Sequence, residues 1–340
     1  MKRDVSIDII KCMAAMLITY SHMGMLFPPQ YAALSTGGAM GDVLFFFCSG
    51  YTLLLGRDDN GFFNWYKRRI NRIYPTVFAW ALMACVCFDL HVDFVYTLLW
   101  GGGWFVTCIM LYYVLFYFIR KFAFSRQSVE TAVKRMWLVI ALSVAAVLVW
   151  YWTMDREPGF NMYGQTKFKW CHYFLFMLAG AILGWLKRHK NMDAESGTGW
   201  RPGFLVSLLL MVGCVAMYYG MMMFRGKGWL YDELQILTLL PLLGFVYAMY
   251  VWCNTRQMVR LYNSRIAGFA VKAVGGLCLE IYLVQYNLFT DRLNDLFPLN
   301  IVIIFLLIVV AAYVLRCMAR IWAQTFMEGN YDWKAVVKIV

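Results

Sequence analysis

The chain has 340 residues, 62% of them drawn from Ala, Val, Ile, Leu, Met, Phe, Trp, Tyr and Cys, and only 15% charged. A soluble domain carries about a quarter charged residues, so the composition excludes a soluble globular protein, a disordered chain and a small disulfide scaffold. The net charge of +12 raises nucleic acid as a partner of a soluble chain, but in an apolar chain the placement of charge matters more than its total, and the lipid bilayer, not nucleic acid, is the expected partner.

Two-residue alternation is missing, which leaves helices as the backbone that lipid tolerates. In chain order, ten spans are expected at about 6–27, 40–56, 74–90, 104–120, 136–153, 170–187, 203–223, 231–252, 274–292 and 299–323. The start is basic, but Asp8, Lys11 and His22 follow it, a poor core for a cleavable leader, so the first span is expected to be retained. No fixed-period repeat and no Pro/Gly/Ser-rich linker interrupts the chain, and one all-α integral membrane domain over 1–340 is expected. With the N-terminus in the cytoplasm, 24 Lys and Arg fall in the inner connections and 6 in the outer ones. That bias predicts two cytoplasmic termini in a multi-pass protein of the plasma (inner) membrane. The ten cysteines are scattered, with Cys85-x-Cys87 the nearest approach to a pair; they read as small apolar fillers, and no metal is expected.

Ionisable side chains inside a span are costly unless paired or hydrated, and each is a candidate site residue. The first span holds Asp8, Lys11 and His22. Lys11 and His22 are eleven residues apart, about three helical turns plus 20°, and so share a face about 16 Å apart along the axis. Asp8 precedes Lys11 by three and is a natural partner for the cation. Such a stripe lines a polar cavity, not lipid. His22 is the candidate general base, since imidazole titrates near neutrality; a hydrogen-bonded interior histidine is the plainer alternative. Asp42, at the start of the antiparallel second span, lies at a similar depth. It either orients the His22 ring, as in acyl-transfer His–Asp pairs, or is a solvated loop residue.

Between the second and third spans runs Trp65-Tyr-Lys-Arg-Arg-Ile-Asn-Arg-Ile-Tyr-Pro75, with Lys67, Arg68, Arg69 and Arg72 inside six residues. It reads as an interfacial helix leading into a span. Its cations either contact phospholipid or clamp a polyphosphate, for which guanidinium forks are suited, with Arg69 and Arg72 on one face.

Four signatures in order resemble the acyltransferase-3 family of membrane acyltransferases. They are Lys11, ten spacers and His22; Gly41-Asp-Val-Leu-Phe-Phe-Phe-Cys-Ser-Gly-Tyr51, with the family's Val-Asp order reversed; Arg69-Ile-Asn-Arg72-Ile-Tyr-Pro75; and Gly276-Leu-Cys-Leu-Glu-Ile-Tyr-Leu-Val-Gln285. In the last, Cys278 and Gln285 stand where the family has Ser and His, and no catalytic role is carried to it. Trp104-Phe105 is similar to the family's Trp-Phe helix start. The resemblance covers essentially the whole chain and implies about ten helices. It also implies transfer of an acyl group, usually acetyl, from cytoplasmic acyl-CoA to a hydroxyl of a sugar or glycan.

On that reading His22, with Lys11 and Asp42, is catalytic; Arg69, Arg72 and Arg68 hold acetyl-CoA or another acyl-CoA; Asp8, Glu280, Ser49 and Trp104 are candidate contacts for a glycan or lipid-linked glycan acceptor. Asp232-Glu233 and His172 either touch that acceptor or sit at the interface. No phosphate-binding loop, GxSxG elbow, HExxH or dinucleotide fingerprint occurs. A proton-coupled transporter or a flippase of a lipid-linked sugar is the rival, since embedded Lys, His and acids also suit a proton relay.

Overall fold

The computed structural model describes residues 4–53, 61–124, 128–157, 159–164, 166–189, 202–228 and 232–339. Lys2, Arg3, Arg57, Arg126, Lys190 and Arg201 of the charge pattern lie outside the described residues, as does Trp229. The helices are α1 Val5–His22, α2 Gly38–Leu53, α3 Phe62–Phe88, α4 Phe94–Trp100, α5 Trp104–Ala123, α6 Val129–Thr153 and α7 Lys169–His189. Then come α8 Phe204–Met222, α9 Leu239–Cys253, α10 Arg256–Asn263, α11 Arg265–Gly276, α12 Cys278–Val284, α13 Leu299–Thr325 and α14 Trp333–Val337. Among the described residues there is no strand. Nine helical stretches there are long and apolar enough to cross a membrane, and α11 with the segment from Cys278 to Asn287 forms a tenth path bent by 63°. The protein is an all-α multi-pass membrane protein.

The helices track the expected spans, with three informative differences. The third begins at Phe62, twelve residues before the apolar run, so the basic segment is the first part of one continuous helix that contains Pro75. Cations at 67–72 keep that part out of hydrocarbon but do not break a helix, and Pro75 withdraws one N–H without ending it. The eighth span opens as a 3-10 turn, Leu234–Thr238, before α9. The ninth is interrupted after Gly275-Gly276, two poor helix formers, at Leu277.

The chain forms two compact units, one of residues Met1–Ile10, Asp42–Arg57 and Phe118–Gly268, the other of Lys11–Gly41, Asp58–Tyr117 and Phe269–Val340. In the first, α2 and α7 meet backbone to backbone. A Cβ on Gly50 would clash with the Met177 carbonyl, one on Gly180 with the Phe47 carbonyl, and one on Gly184 with the Tyr51 carbonyl. Lipid gives little hydrophobic drive between helices, so small residues that permit close packing do that work. At one end, Asp4 Oδ2 accepts from Tyr51 (2.6 Å) and Lys187 (2.7 Å), while Oδ1 accepts from the Ser6 hydroxyl (2.6 Å). Burial raises the Asp4 carboxyl, yet Lys187, Ser6 and Tyr51 together hold it below its ordinary value.

At the other end the 154–168 connection is tied to the 3-10 turn. The Gln235 amide accepts from Met162 N and donates to Phe160 O, both at 2.8 Å. Asp232 accepts from Gly159 N (3.2 Å) and Gly226 N (3.0 Å), Tyr163 bonds Thr238 (2.6 Å), and Arg156 pairs with Glu233. Asp232-Glu233 thus closes a connection. Beneath it lies an apolar cluster of Val147, Tyr151, Met162, Phe168 and Ile236.

The second unit packs α3, α12 and α13 together. Gly101, Gly102 and Gly103 all have positive φ (54°, 83°, 154°), and make the turn into α5 under Tyr282 and Leu283 of α12. Arg316 of α13 spans the break between α11 and α12: Nε and Nη2 donate to the Glu280 carboxylate at 3.0 and 2.9 Å, and Nη2 also donates to the Gly276 carbonyl.

Gly180→Ala is expected to lower stability by about 1–3 kcal/mol through overpacking. Gly213→Ala on α8, with open space around its Cα, should be neutral or raise it by up to about 1 kcal/mol. Thermal unfolding in detergent checks this, and equal shifts for the two would remove the close-approach role of Gly180.

Candidate active site

Helix α1 ends at His22, and that end is held by side chains from the same unit. The Ser35 hydroxyl bonds the Tyr20 carbonyl (3.0 Å) and the Ser21 carbonyl (3.2 Å), two of the acceptors that a helix C-terminus leaves open. The turn that follows is fixed by Asn294 to Met25 O (2.9 Å) and by buried Asn300 to Leu26 O (2.8 Å). His22 therefore stands at a braced helix end, half-buried.

Against it comes the end of α12. Cys278 donates to the Lys11 carbonyl (3.4 Å), which sets α12 alongside α1. Seven residues later the chain tightens into a 3-10 turn, Gln285–Asn287. The Tyr286 ring lies 4.8 Å from the His22 ring, tilted by 39°, and the Gln285 amide lies beside the imidazole. Ring and amide are within interacting reach but off the alignment of a formed hydrogen bond. His22 Nδ1 and both Gln285 amide atoms are sealed from solvent and unpartnered. Three polar atoms buried together without aligned partners are costly, and the other ring nitrogen, Nε2, is not sealed with them.

The arginine pair sits on α3 of the same unit. Trp65 is fully buried and donates to the Tyr113 carbonyl (3.2 Å). The Arg69 guanidinium lies 3.5 Å over the Trp65 ring and donates to the Trp65 carbonyl at 3.1 Å. Arg69 is half-buried, whereas Lys67, Arg68 and Arg72 are exposed, and the Tyr113 side chain lies near both Arg69 and Arg72. These cations form a surface able to hold phosphate oxygens. Trp104, half-buried, opens α5, its ring edge-on to Phe105 at 5.9 Å. Lys11 is half-buried on α1, and both Glu280 oxygens accept from Arg316.

In the other unit, Asp42 accepts from the buried Tyr173 hydroxyl at 3.1 Å, with Lys169 nearby. Asp8 is buried and accepts from Tyr262 at 2.6 Å. Ser49 is half-buried on α2, its carbonyl accepting from Thr52. His172 is fully buried, Nε2 on the Met162 carbonyl (3.1 Å).

Sequence reasoning left four of these residues without a role: Gln285, Arg316, Tyr173 and Tyr262. For Arg316 a signal existed, since Glu280 inside an apolar span calls for a cation. For Gln285 it was its place where the family pattern has His. Tyr173 and Tyr262 carry no such signal among 22 tyrosines. Among the described residues no three His, Cys, Asp or Glu side chains gather as a metal set.

Comparison with curated proteins finds no match, and comparison with solved structures finds none either. The family model described as an acyltransferase domain, acyltransferase-3, matches residues 4–317. Together with the membrane-crossing helices that match means a membrane acyltransferase, which uses an acyl donor and an acceptor: the chain belongs to the acyltransferase-3 family.

Proposed function

We propose that the protein is an O-acetyltransferase that moves an acetyl group from cytoplasmic acetyl-CoA to a hydroxyl of a cell-surface glycan or its lipid-linked precursor. The observation that carries this is His22, an imidazole on an apolar helix held against Gln285 and Tyr286, with Nδ1 sealed in the protein and Nε2 not enclosed with it. In a membrane acyltransferase, such a group is suited to take the proton of an acceptor hydroxyl. The oxygen then bonds the acyl carbon, the thioester C–S bond breaks, and the departing thiolate recovers that proton from the imidazolium. Ester and free thiol are the products. A transient acyl-imidazole on His22 gives the same balance in two steps.

The Arg69–Arg72 pair suits the donor's phosphates, with Arg68 beside it, and the exposed cations at this end of α3 agree with a cytoplasmic position and with both termini on that side. The plasma membrane is the proposed location. The proposed architecture is a single transmembrane domain of about ten passes. Lys11 polarises the route along α1 towards His22. Acceptor contact is assigned to Trp104 and Glu280, the last acting next to its ion pair with Arg316. One observation favours a second reading, transport of a lipid-linked sugar: the bent pair of helices at Leu277 is a form that transporters use around midplane sites. Flux into proteoliposomes without a covalent product would select it.

His22→Ala is expected to lower thiol release from acetyl-CoA, assayed with a glycan extract as acceptor, by at least about 100-fold while the protein still folds. Substantial turnover by a well-folded variant would sink the assignment of His22. Arg69→Ala and Arg72→Ala should each raise the donor KM by about 10-fold or more with kcat nearly unchanged, the loss of a charge-assisted contact. An unchanged donor KM would return both arginines to lipid contact.

A further inference from the structure

Three buried amides of this protein contrast sharply. Gln235 uses both ends of its side chain on backbone groups, and Asn300 donates to the Leu26 carbonyl while accepting from Ile301 N. Gln285 is equally buried, at 0% exposure, yet neither amide atom has a partner. A side chain that ties nothing together adds no hydrogen bond to the fold, and burying it unpaired disfavours the folded state. Its location gives it a use. It sits where α12 tightens into a 3-10 turn beside His22, and the His22 nitrogen that is sealed and unpartnered is Nδ1. Nε2 of the same ring is not enclosed in this way.

We propose that Gln285 is the positioning residue for His22: its Oε1 accepts the Nδ1 proton and so holds the imidazole in the tautomer whose Nε2 is free to act on the acceptor. The inference rests on the reading of His22 as the base. The chemistry is that of a base oriented through its far nitrogen, with a neutral amide in place of a carboxylate, an arrangement that Cys-His-Asn sites also use. A small side-chain rotation closes the contact, and hydrogen bonds of this kind are commonly long before substrate arrives. The proton balance is unchanged: Nδ1–H stays on the ring throughout, while Nε2 takes the hydroxyl proton and returns it to the leaving thiolate.

The residue also accounts for the braced surroundings. Orientation by a single amide requires that both partners keep their place. The Ser35 bonds to the last carbonyls of α1 fix the helix end that carries His22, and the Arg316 bridge fixes the start of the short helix α12, at whose far end Gln285 stands.

The test uses the four histidines of the chain. Imidazole-15N spectra of the whole protein in detergent, with the His22 signal assigned by its loss in His22→Ala, report the tautomer without requiring turnover. The wild type should show Nδ1–H, and Gln285→Met, which keeps the volume but not the amide, should lose that preference. Turnover of Gln285→Met should fall about 10- to 100-fold with an unchanged donor KM. Gln285→Glu should keep the Nδ1–H form and move the acid limb of the pH–rate profile to higher pH, because a carboxylate stabilises the imidazolium. Should Gln285→Met misfold, the Gln285→Glu profile decides, and an unmoved acid limb overturns the proposal. An Nε2–H form in the wild type, as a ring bonded only to water would allow, overturns it too. So does a tautomer that Gln285→Met leaves unchanged. Transfer that persists in His22→Ala overturns the proposed function instead, whatever the tautomer, so the two failures are distinct.

Discussion

The second unit depends on one ion pair. Where α11 gives way to α12 the backbone turns by 63°, and the Gly276 carbonyl loses the helical donor it would have had. In an interior without free water such a group needs a partner. Arg316 supplies it and, through the same guanidinium, grips both oxygens of Glu280 on the first turn of α12. A planar fork with five donors meets these demands at once, which an ammonium cannot do. A buried pair of this sort is weak evidence of net stability, but it defines the direction in which α12 leaves the break. That direction brings Cys278 to the Lys11 carbonyl and Gln285 to His22.

The first unit reaches rigidity by other means. Gly50, Gly180 and Gly184 let α2 and α7 touch along their backbones, so the pair is held by shape and close contact. Polar ties then close both ends, with Asp4 between Tyr51 and Lys187 at one and the Gln235 and Asp232 bonds at the other. His172, with Nε2 on Met162, belongs to the second of these ties.

Much of this was readable from residues alone. Apolar length and charge placement locate the helices because lipid imposes the same requirement on every span. The spacing of Lys11 and His22 shows in a sequence for the same reason, a helix having one period. What stayed hidden depends on which helix meets which. That the interfacial helix and the span from 74 form one continuous helix is not visible, since charge marks the edge of the hydrocarbon and not the end of a helix. The partners Tyr262 for Asp8, Tyr173 for Asp42 and Arg316 for Glu280 are set by packing across more than thirty residues of separation in each case, and no local pattern encodes them. Gln285 was visible only as a departure from a family pattern; its unpartnered amide is a property of three dimensions.

The braced end of α1 changes how mutational data on this protein should be read. Ser35, Asn294 and Asn300 donate to carbonyls of α1 and of the turn after it, and so brace the helix end where the imidazole stands. The helix end that carries this proposed base is placed during folding, so no reacting partner has to place it. Substitutions at these three polar positions will therefore behave kinetically like losses at the proposed base itself, although their side chains bond only the scaffold around it. A screen scored on activity alone would draw the catalytic site too large, extending it along the scaffold that holds one helix end in place.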